Sequence, residues 1–323
     1  MFQLVTKIGF IGSGNHAFRL MQIINQIPNN VIKFIFHPKK NLNDSFTNDL
    51  SDLYQCDAIF ILSPNHTHFY YMENLFQNYD GYIFCEKPPV ISYDELNHLE
   101  KISFQKKEKL FFNFNYRFGK INECINEQKS SEHIGKINHI NIIASHGLAF
   151  KSDYFESWRA DGEKNLFNIL DTLSIHYLDL LNLNFGNPIE KNFFPKLISN
   201  HGKSYDTNLI ILKYDNDITI SLLNSYASPY INQISILGTN GFLNIFDNSK
   251  RIFSPRDSFN SKNFFITPPI LSDKKFIFED EYNNSLVNSV TYFLNIVKKQ
   301  GVFPIEQFET SLFTNKLILD LRK

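Results

Sequence analysis

The chain has 323 residues, enough for one large domain or two ordinary ones, and 43% of them are hydrophobic, so it can bury a sizeable core. Its 32 basic and 33 acidic side chains leave a formal net charge of -1. That balance excludes the excess of Lys and Arg that nucleic-acid binders and polybasic membrane-surface proteins need. No apolar run approaches the roughly 18 residues of a membrane-spanning helix. The N-terminal stretch lacks the leading charge and small-residue cleavage site of a signal peptide. Cys56, Cys85 and Cys124 show no CxxC spacing and read as reduced core thiols, so the expected location is cytoplasmic. The 33 phenylalanines read as codon bias rather than function.

In chain order, residues 7–11 form a short apolar run that ends in Gly12-Ser13-Gly14. Ala17, Phe18, Met21, Ile24 and Ile27 then recur at helical spacing, and Pro28-Asn29-Asn30 closes that helix. Strands are predicted at 31–36, 57–62, 82–85 and 110–114, with a helix over 68–77. Ser92 and Glu95 form a capping box that opens another helix. Repeated strand-helix units with near-continuous apolar strands predict a parallel sheet covered on both faces. After Phe118 the pattern changes. A long strand is predicted at 136–145, a helix at 166–183, and short strands at 208–214, 218–225, 231–237 and 242–246. Runs of strands joined by turns predict an antiparallel sheet. The expected domains are therefore 1–118 and 119–323, the second an α+β domain. Residues 247–280, polar and proline-containing, are expected to be a long irregular loop.

Gly12-Ser13-Gly14-Asn15-His16-Ala17 fits GxGxxA between a strand and a helix. The first glycine permits the tight turn, the second lets the backbone approach a pyrophosphate, and the helix N-terminus faces the anion. A dinucleotide site is expected here, with Gly12, Ser13, Gly14 and Asn15 as contacts. The alternative is a tight structural turn. An acid for the ribose of NAD should follow about 20 residues on. Instead the second strand ends in His37-Pro38-Lys39-Lys40. These groups suit a 2′-phosphate, so NAD and NADP both stay open, with His37, Lys39 and Lys40 leaning toward NADP, unless the lysines are only solvated.

Ligands on a parallel sheet bind at the carboxyl ends of its strands. Four stretches converge there: the glycine turn, Ser63-Pro64-Asn65-His66-Thr67-His68, Glu86-Lys87-Pro88 and Asn115-Tyr116-Arg117. Lys87 can hold a substrate hydroxyl or exchange its proton, and Glu86 can neutralise it or contact the nicotinamide ribose.

Through these motifs the chain resembles the Gfo/Idh/MocA family, the glucose-fructose oxidoreductase and inositol dehydrogenase type. Gly12-Ser13-Gly14, Pro64-Asn65-x-x-His68, Glu86-Lys87-Pro88, Asn115-Tyr116-Arg117-Phe118, Trp158-Arg159 and His176-x-x-Asp179 carry the likeness, with residues 236–241 resembling a family sheet segment. The resemblance implies an N-terminal Rossmann doubly wound parallel sheet and an α+β domain with a mainly antiparallel open sheet. It implies a nicotinamide-dependent oxidoreductase acting on sugars or cyclitols, with Lys87 and His176 flanking the reacting carbon. Serine-proline-asparagine at 63–65, with Cys85 before the Glu-Lys-Pro and Ser157-Trp158-Arg159-x-Asp161 later, is most similar to nucleotide-sugar oxidases of bacterial surface-polysaccharide synthesis.

Within that resemblance Ser63, Asn65, His68, Glu86, Asn115, Trp158 and Arg159 are further cofactor candidates. Tyr116, Asp161, Asp171 and Thr172 join Lys87 and His176 as substrate candidates. One departure stands out: the family's acid lies four residues before the histidine, where this chain has Thr172, with Asp171 one place earlier. On a helix that shift is about 100° of rotation. Either Thr172 fills the role or a local bulge restores Asp171. His66 and His68 form an HxH, but nothing nearby completes the three ligands of a catalytic zinc, so no metal is expected. Rival readings are an NAD-dependent glycoside hydrolase and a non-catalytic dinucleotide-binding regulator. The second domain's leftover sheet face predicts a homodimer or homotetramer.

Overall fold

The computed structural model describes residues 5–39 and 45–323. β1 (Thr6–Ile11), α1 (Asn15–Gln26) and β2 (Asn30–Phe36) follow one another as the apolar spacing predicts. A two-residue strand β3 (Phe46–Thr47) and a 3-10 turn (Leu50–Gln55), neither foreseen, precede β4 (Ala58–Ile61). Then come α2 (His68–Asn78), β5 (Tyr82–Glu86), α3 (Tyr93–Glu100), α4 (Phe104–Lys107) and β6 (Leu110–Asn113). The six strands form one parallel sheet in the order β3-β2-β1-β4-β5-β6. The order reverses between β1 and β4, and ligands bind at such a switch point. The capping box at α3 is shifted: Ser92 Oγ accepts from Glu95 N, but Glu95 Oε2 accepts from Ile91 N at 2.8 Å rather than from Ser92.

The phenylalanines have a structural use. Phe10, Phe60, Phe84 and Phe111 are register neighbours on adjacent strands. Their rings stack at 5.1, 4.4 and 5.3 Å, all fully buried. Each buried ring of this size contributes roughly 2–3 kcal/mol of transfer free energy.

The second sheet follows α5 (Lys120–Lys129). β7 (Ile137–Ser145) leads through the short helix α6 (Gly162–Asn165) and a π-helical turn (Leu170–Ser174) into α7 (Ile175–Phe185). β8 (Glu190–Lys196), β9 (Thr207–Lys213), β10 (Thr219–Ser225), β11 (Ile231–Gly238), β12 (Phe242–Phe246), β13 (Ser249–Phe253) and β14 (Ile270–Lys275) complete it. The sheet order is β14-β13-β12-β11-β7-β10-β9-β8, antiparallel except for the pair β7 and β10. Ile140, Ile142, Ile210, Ile220, Leu222, Ile234 and Ile236 alternate onto its buried face. Hydrogen bonds from Ser174 to Asn208 and from Tyr177 to Asn232 seat the π turn and α7 on this sheet.

The expected loop over 247–280 holds for 254–269 and is corrected where β13 and β14 form. Asp247 and Asn248 both have positive φ, 50° and 57°, the conformation of a tight hairpin turn, and they join β12 to β13. Asp and Asn tolerate that conformation, so the polarity that read as a loop is the chemistry of a turn. The helices α8 (Phe278–Lys298) and α9 (Ile305–Leu321) end the chain. Contacts divide the chain into residues 1–118 with 284–320, and 119–283 with 321–323. The expected second domain over 119–323 thus gives up 284–320, because Phe293 and Phe303 pack against the phenylalanine ladder of the first sheet.

Candidate cofactor and catalytic residues

The glycine turn sits where β1 meets α1. Gly12 has φ +111°, and a Cβ there would lie 2.7 Å from Leu62 O, so only glycine fits. Gly14 is different. It is extended, no side chain caps α1, the first turn carries no acid, and a Cβ on Gly14 would meet nothing within 4 Å. Open space therefore lies before a helix N-terminus whose first amides have no intrahelical partner. Ala17, fully buried, lets the helix lie close to the strand. These residues fit a dinucleotide's pyrophosphate. At the end of β2 the His37 Nδ1 accepts from Lys39 N at 3.1 Å, which folds the turn, and Lys39 is exposed. Lys40 lies outside the described residues.

At the end of β4, Thr67 donates to Ser63 Oγ at 2.7 Å, and Asn65 Nδ2 is buried with no partner among the described residues. His68 is 0% exposed; its ring nitrogens lie 2.8 Å from Ser63 O and 2.9 Å from Pro88 O. It ties the Ser-Pro-Asn loop to the Glu-Lys-Pro turn and opens α2. Burial dominates its titration and holds the imidazole below its ordinary range, against the pull of the two carbonyls and Glu86.

Glu86 ends β5 and is the hub of the edge. Its Oε1 lies 2.9 Å from His16 Nε2 and accepts from Asn113 Nδ2 at 2.6 Å, and Ser289 Oγ in turn donates to Asn113 Oδ1 at 2.6 Å. Burial alone would raise the Glu86 carboxyl, but His16, Asn113 and Lys87 together hold it below its usual range. Glu86 thus links the glycine turn to the strand that presents Lys87, which is half-buried beyond it. Asn115 is 1% exposed and donates to Ser285 Oγ at 2.8 Å. That bond holds the end of β6. Tyr116 is half-buried beside it.

In the second unit the π turn answers the question of Asp171 and Thr172. Ile175 N donates to Leu170 O, five residues back, so the helix absorbs one extra residue. Asp171 is buried and its carboxylate pairs with Arg322. Thr172 Oγ1 lies 2.6 Å from the Tyr226 hydroxyl. Burial raises that phenol to about 12. His176 and Asp179 are buried on α7. Asp161 caps α6, accepting from Glu163 N at 3.1 Å and meeting Lys164 Nζ at 3.0 Å. The Arg159 guanidinium lies 4.7 Å from the Trp158 ring.

Sequence reasoning missed His16, Asn113, Ser289, Arg322 and Tyr226. Only His16 lay in a motif, at a position the motif leaves variable. Among the described residues no group of three or more His, Cys, Asp and Glu side chains could hold a metal ion. Cys56, Cys85 and Cys124 are free and buried. No helix among the described residues is long and apolar enough to cross a membrane.

The chain resembles several solved structures in fold. An oxidoreductase from Agrobacterium radiobacter, solved with NAD+, L-tartaric acid and magnesium, superposes with TM-score 0.75 at 18% identity, covering 97% of this chain and 94% of that one. A myo-inositol dehydrogenase from Corynebacterium glutamicum gives 0.70 at 19%, covering 98% and 96%. Levoglucosan dehydrogenase with NADH and levoglucosan gives 0.74 at 14%, covering 98% and 96%. No curated protein sequence matches the chain. Residues 6–114 match the oxidoreductase family with an NAD-binding Rossmann fold, and residues 125–244 match the GFO/IDH/MocA C-terminal domain. The chain therefore belongs to the Gfo/Idh/MocA family of NAD-binding oxidoreductases.

Proposed function

We propose that the protein is an NAD(P)-dependent sugar oxidoreductase, acting on a ring hydroxyl or ketone of a sugar, in particular a nucleotide-sugar of bacterial surface-polysaccharide or glycan synthesis. The observation that carries this reading is the Glu86 hub. It ties the glycine turn to the strand end that presents Lys87. When bound, the nicotinamide accepts or returns a hydride at its C4. Gly12, Ser13, Gly14 and Asn15 hold the pyrophosphate, and His37 and Lys39 take the 2′-phosphate of NADP. Ser63, Asn65 and Trp158 remain cofactor contacts in this proposal, with Arg159 bordering the substrate and Glu86 supporting from beneath.

In the oxidising direction His176 serves as the base for the hydroxyl proton and the Lys87 ammonium as a donor to a substrate hydroxyl. Tyr116 and Thr172 complete the substrate contacts. Asp171 takes part through the placement of its helix turn. The named relatives, dehydrogenases of inositol and levoglucosan, support a polyol or sugar substrate. Ile211, Leu223 and Leu237, more than a third exposed on the open sheet, support a homodimer or homotetramer formed through that face. The three buried thiols support a reducing, cytoplasmic setting.

The test is nicotinamide fluorescence with NADH and NADPH, followed by turnover on a panel of sugars and nucleotide-sugars. Lys87→Ala and His176→Ala should each lower turnover at least 100-fold while cofactor affinity changes little. Unchanged turnover in Lys87→Ala would remove the lysine from the mechanism.

A further inference from the structure

We propose that Arg159, Lys151 and His146, gathered where the second unit's segment 146–160 folds against Tyr226, form an anion subsite that takes a phosphate or carboxylate carried by the substrate. This rests on the sugar-oxidoreductase reading and names the part of the substrate that reading leaves open.

The segment is pinned at both ends. His146 N donates to Ser225 O and Ala149 N to Tyr226 O, each at 3.0 Å, which laces the chain after β7 to the chain after β10. Ala149, Tyr154 and Ala160 are buried in one cluster with Ile169 and Tyr226. Lys151 and Arg159 are thus carried on a packed scaffold. The His146 ring lies over Tyr226 with centroids 4.7 Å apart. The Tyr226 hydroxyl reaches Thr172, in the turn that leads into His176.

Among the described residues no carboxylate or hydrogen-bond acceptor pairs with the side chain of Arg159 or Lys151. The neighbouring acids are engaged or uninvolved. Asp171 pairs with Arg322, Asp161 with Lys164, and Asp206 accepts from Ile198 N, Ser199 N and Thr207 Oγ1. Among the described residues Asp153 and Glu156, on the same segment, form no ion pair. Arg159 acts electrostatically on His146, Tyr226 and Tyr154, and Lys151 acts on His146. Burial, Lys151 and Arg159 together hold His146 below its ordinary range, so the ring is a neutral N–H donor beside two cations.

The chemistry follows from the inventory of groups. Arg and Lys are donors only, whereas a neutral sugar presents hydroxyls that call for acceptors as well. A half-buried guanidinium stacked on an indole, with its fork unspent, matches the geometry of phosphate or carboxylate.

Trp158, the single tryptophan, lies against Arg159 and supplies the readout. The full chain is titrated with glucose 1-phosphate, glucuronate and glucose at constant ionic strength, by Trp158 emission and by calorimetry. A saturable response to glucose 1-phosphate or glucuronate, and at least tenfold weaker binding of glucose, is expected. The tighter anion assigns the group to phosphate or to carboxylate. Arg159→Gln and Lys151→Ala should each weaken that binding about tenfold or more by calorimetry, while Lys196→Ala on β8 leaves it unchanged. Equal binding of glucose, or unchanged affinity in Arg159→Gln, would overturn the subsite. NADH binding is read on the same protein. No response to either anion from a protein that binds NADH sinks the subsite alone, and a protein that binds neither sinks the parent reading with it.

Discussion

His16 and Glu86, 70 positions apart in the chain, meet at 2.9 Å at the switch point of the parallel sheet. One stands in the first turn of the helix after the glycine motif, the other ends the strand before Lys87. The pair makes two separate motifs a single edge.

Glu86→Gln keeps the shape and removes the charge. The buried carboxylate loses its charge-assisted bonds, at a cost of roughly 1–3 kcal/mol near neutral pH. Because the folded carboxyl titrates below its ordinary 4.5, its stabilisation is present above that value and fades as pH falls through the folded pKa. Urea unfolding at several pH values should therefore show wild type and variant converging in acid. A gap that stays constant down to strongly acidic pH would mean that the charge contributes nothing.

His68 has the opposite linkage. Its folded pKa is lowered from 6.5, so the unfolded chain takes up a proton first as pH drops. Wild-type stability should fall as pH moves below about 6.5 toward the lower folded value. In His68→Gln that slope should be shallower by up to one proton, although the variant is less stable at pH 8. Identical slopes would show that the imidazole does not titrate this way.

The two motif glycines should fail differently. Gly12→Ala places a methyl 2.7 Å from Leu62 O in a left-handed conformation. It should lose about 1–3 kcal/mol of stability as well as NADH binding. Gly14→Val enters open space, so thermal stability should hold while NADH affinity drops at least tenfold. Normal NADH binding in Gly14→Val would mean that the open space before α1 is not the phosphate site.

Arg322→Met strands a buried carboxylate. Asp171 loses this cation, and breaking a buried ion pair typically costs about 3–5 kcal/mol. The double variant Arg322→Met with Asp171→Leu should recover much of that loss in a denaturant series. No recovery would assign Asp171 a part beyond this pair.

How much was legible in the chain depends on distance. Residues 7–11, 31–36 and 57–62 announced themselves as strands because a strand covered on both faces must be apolar throughout, and Gly12 announced the turn because only glycine tolerates its φ. The Asp247-Asn248 hairpin was legible in principle, since both residues suit positive φ, but its polarity reads equally as a loop. Thr172 and Asp171 could not be ordered from a regular 3.6-residue helix, because the chain inserts a π turn that only the packing against β9 and β10 requires.

By itself the sequence determined the main strands of the first sheet, the longer strands of the second, the glycine turn and the placement of Lys87 at a strand end. Each of these follows from near-neighbour sterics and from the periodicity of burial, which act over a few residues. Only the tertiary structure decided that Glu86 belongs to His16 and Asn113, that His68 faces inward, that Asp171 belongs to Arg322, 151 positions away, and that residues 284–320 return to the first sheet. Those choices depend on which side chains share one desolvated space after folding. A buried charge takes the partner that the fold brings within reach, and no local pattern specifies that partner.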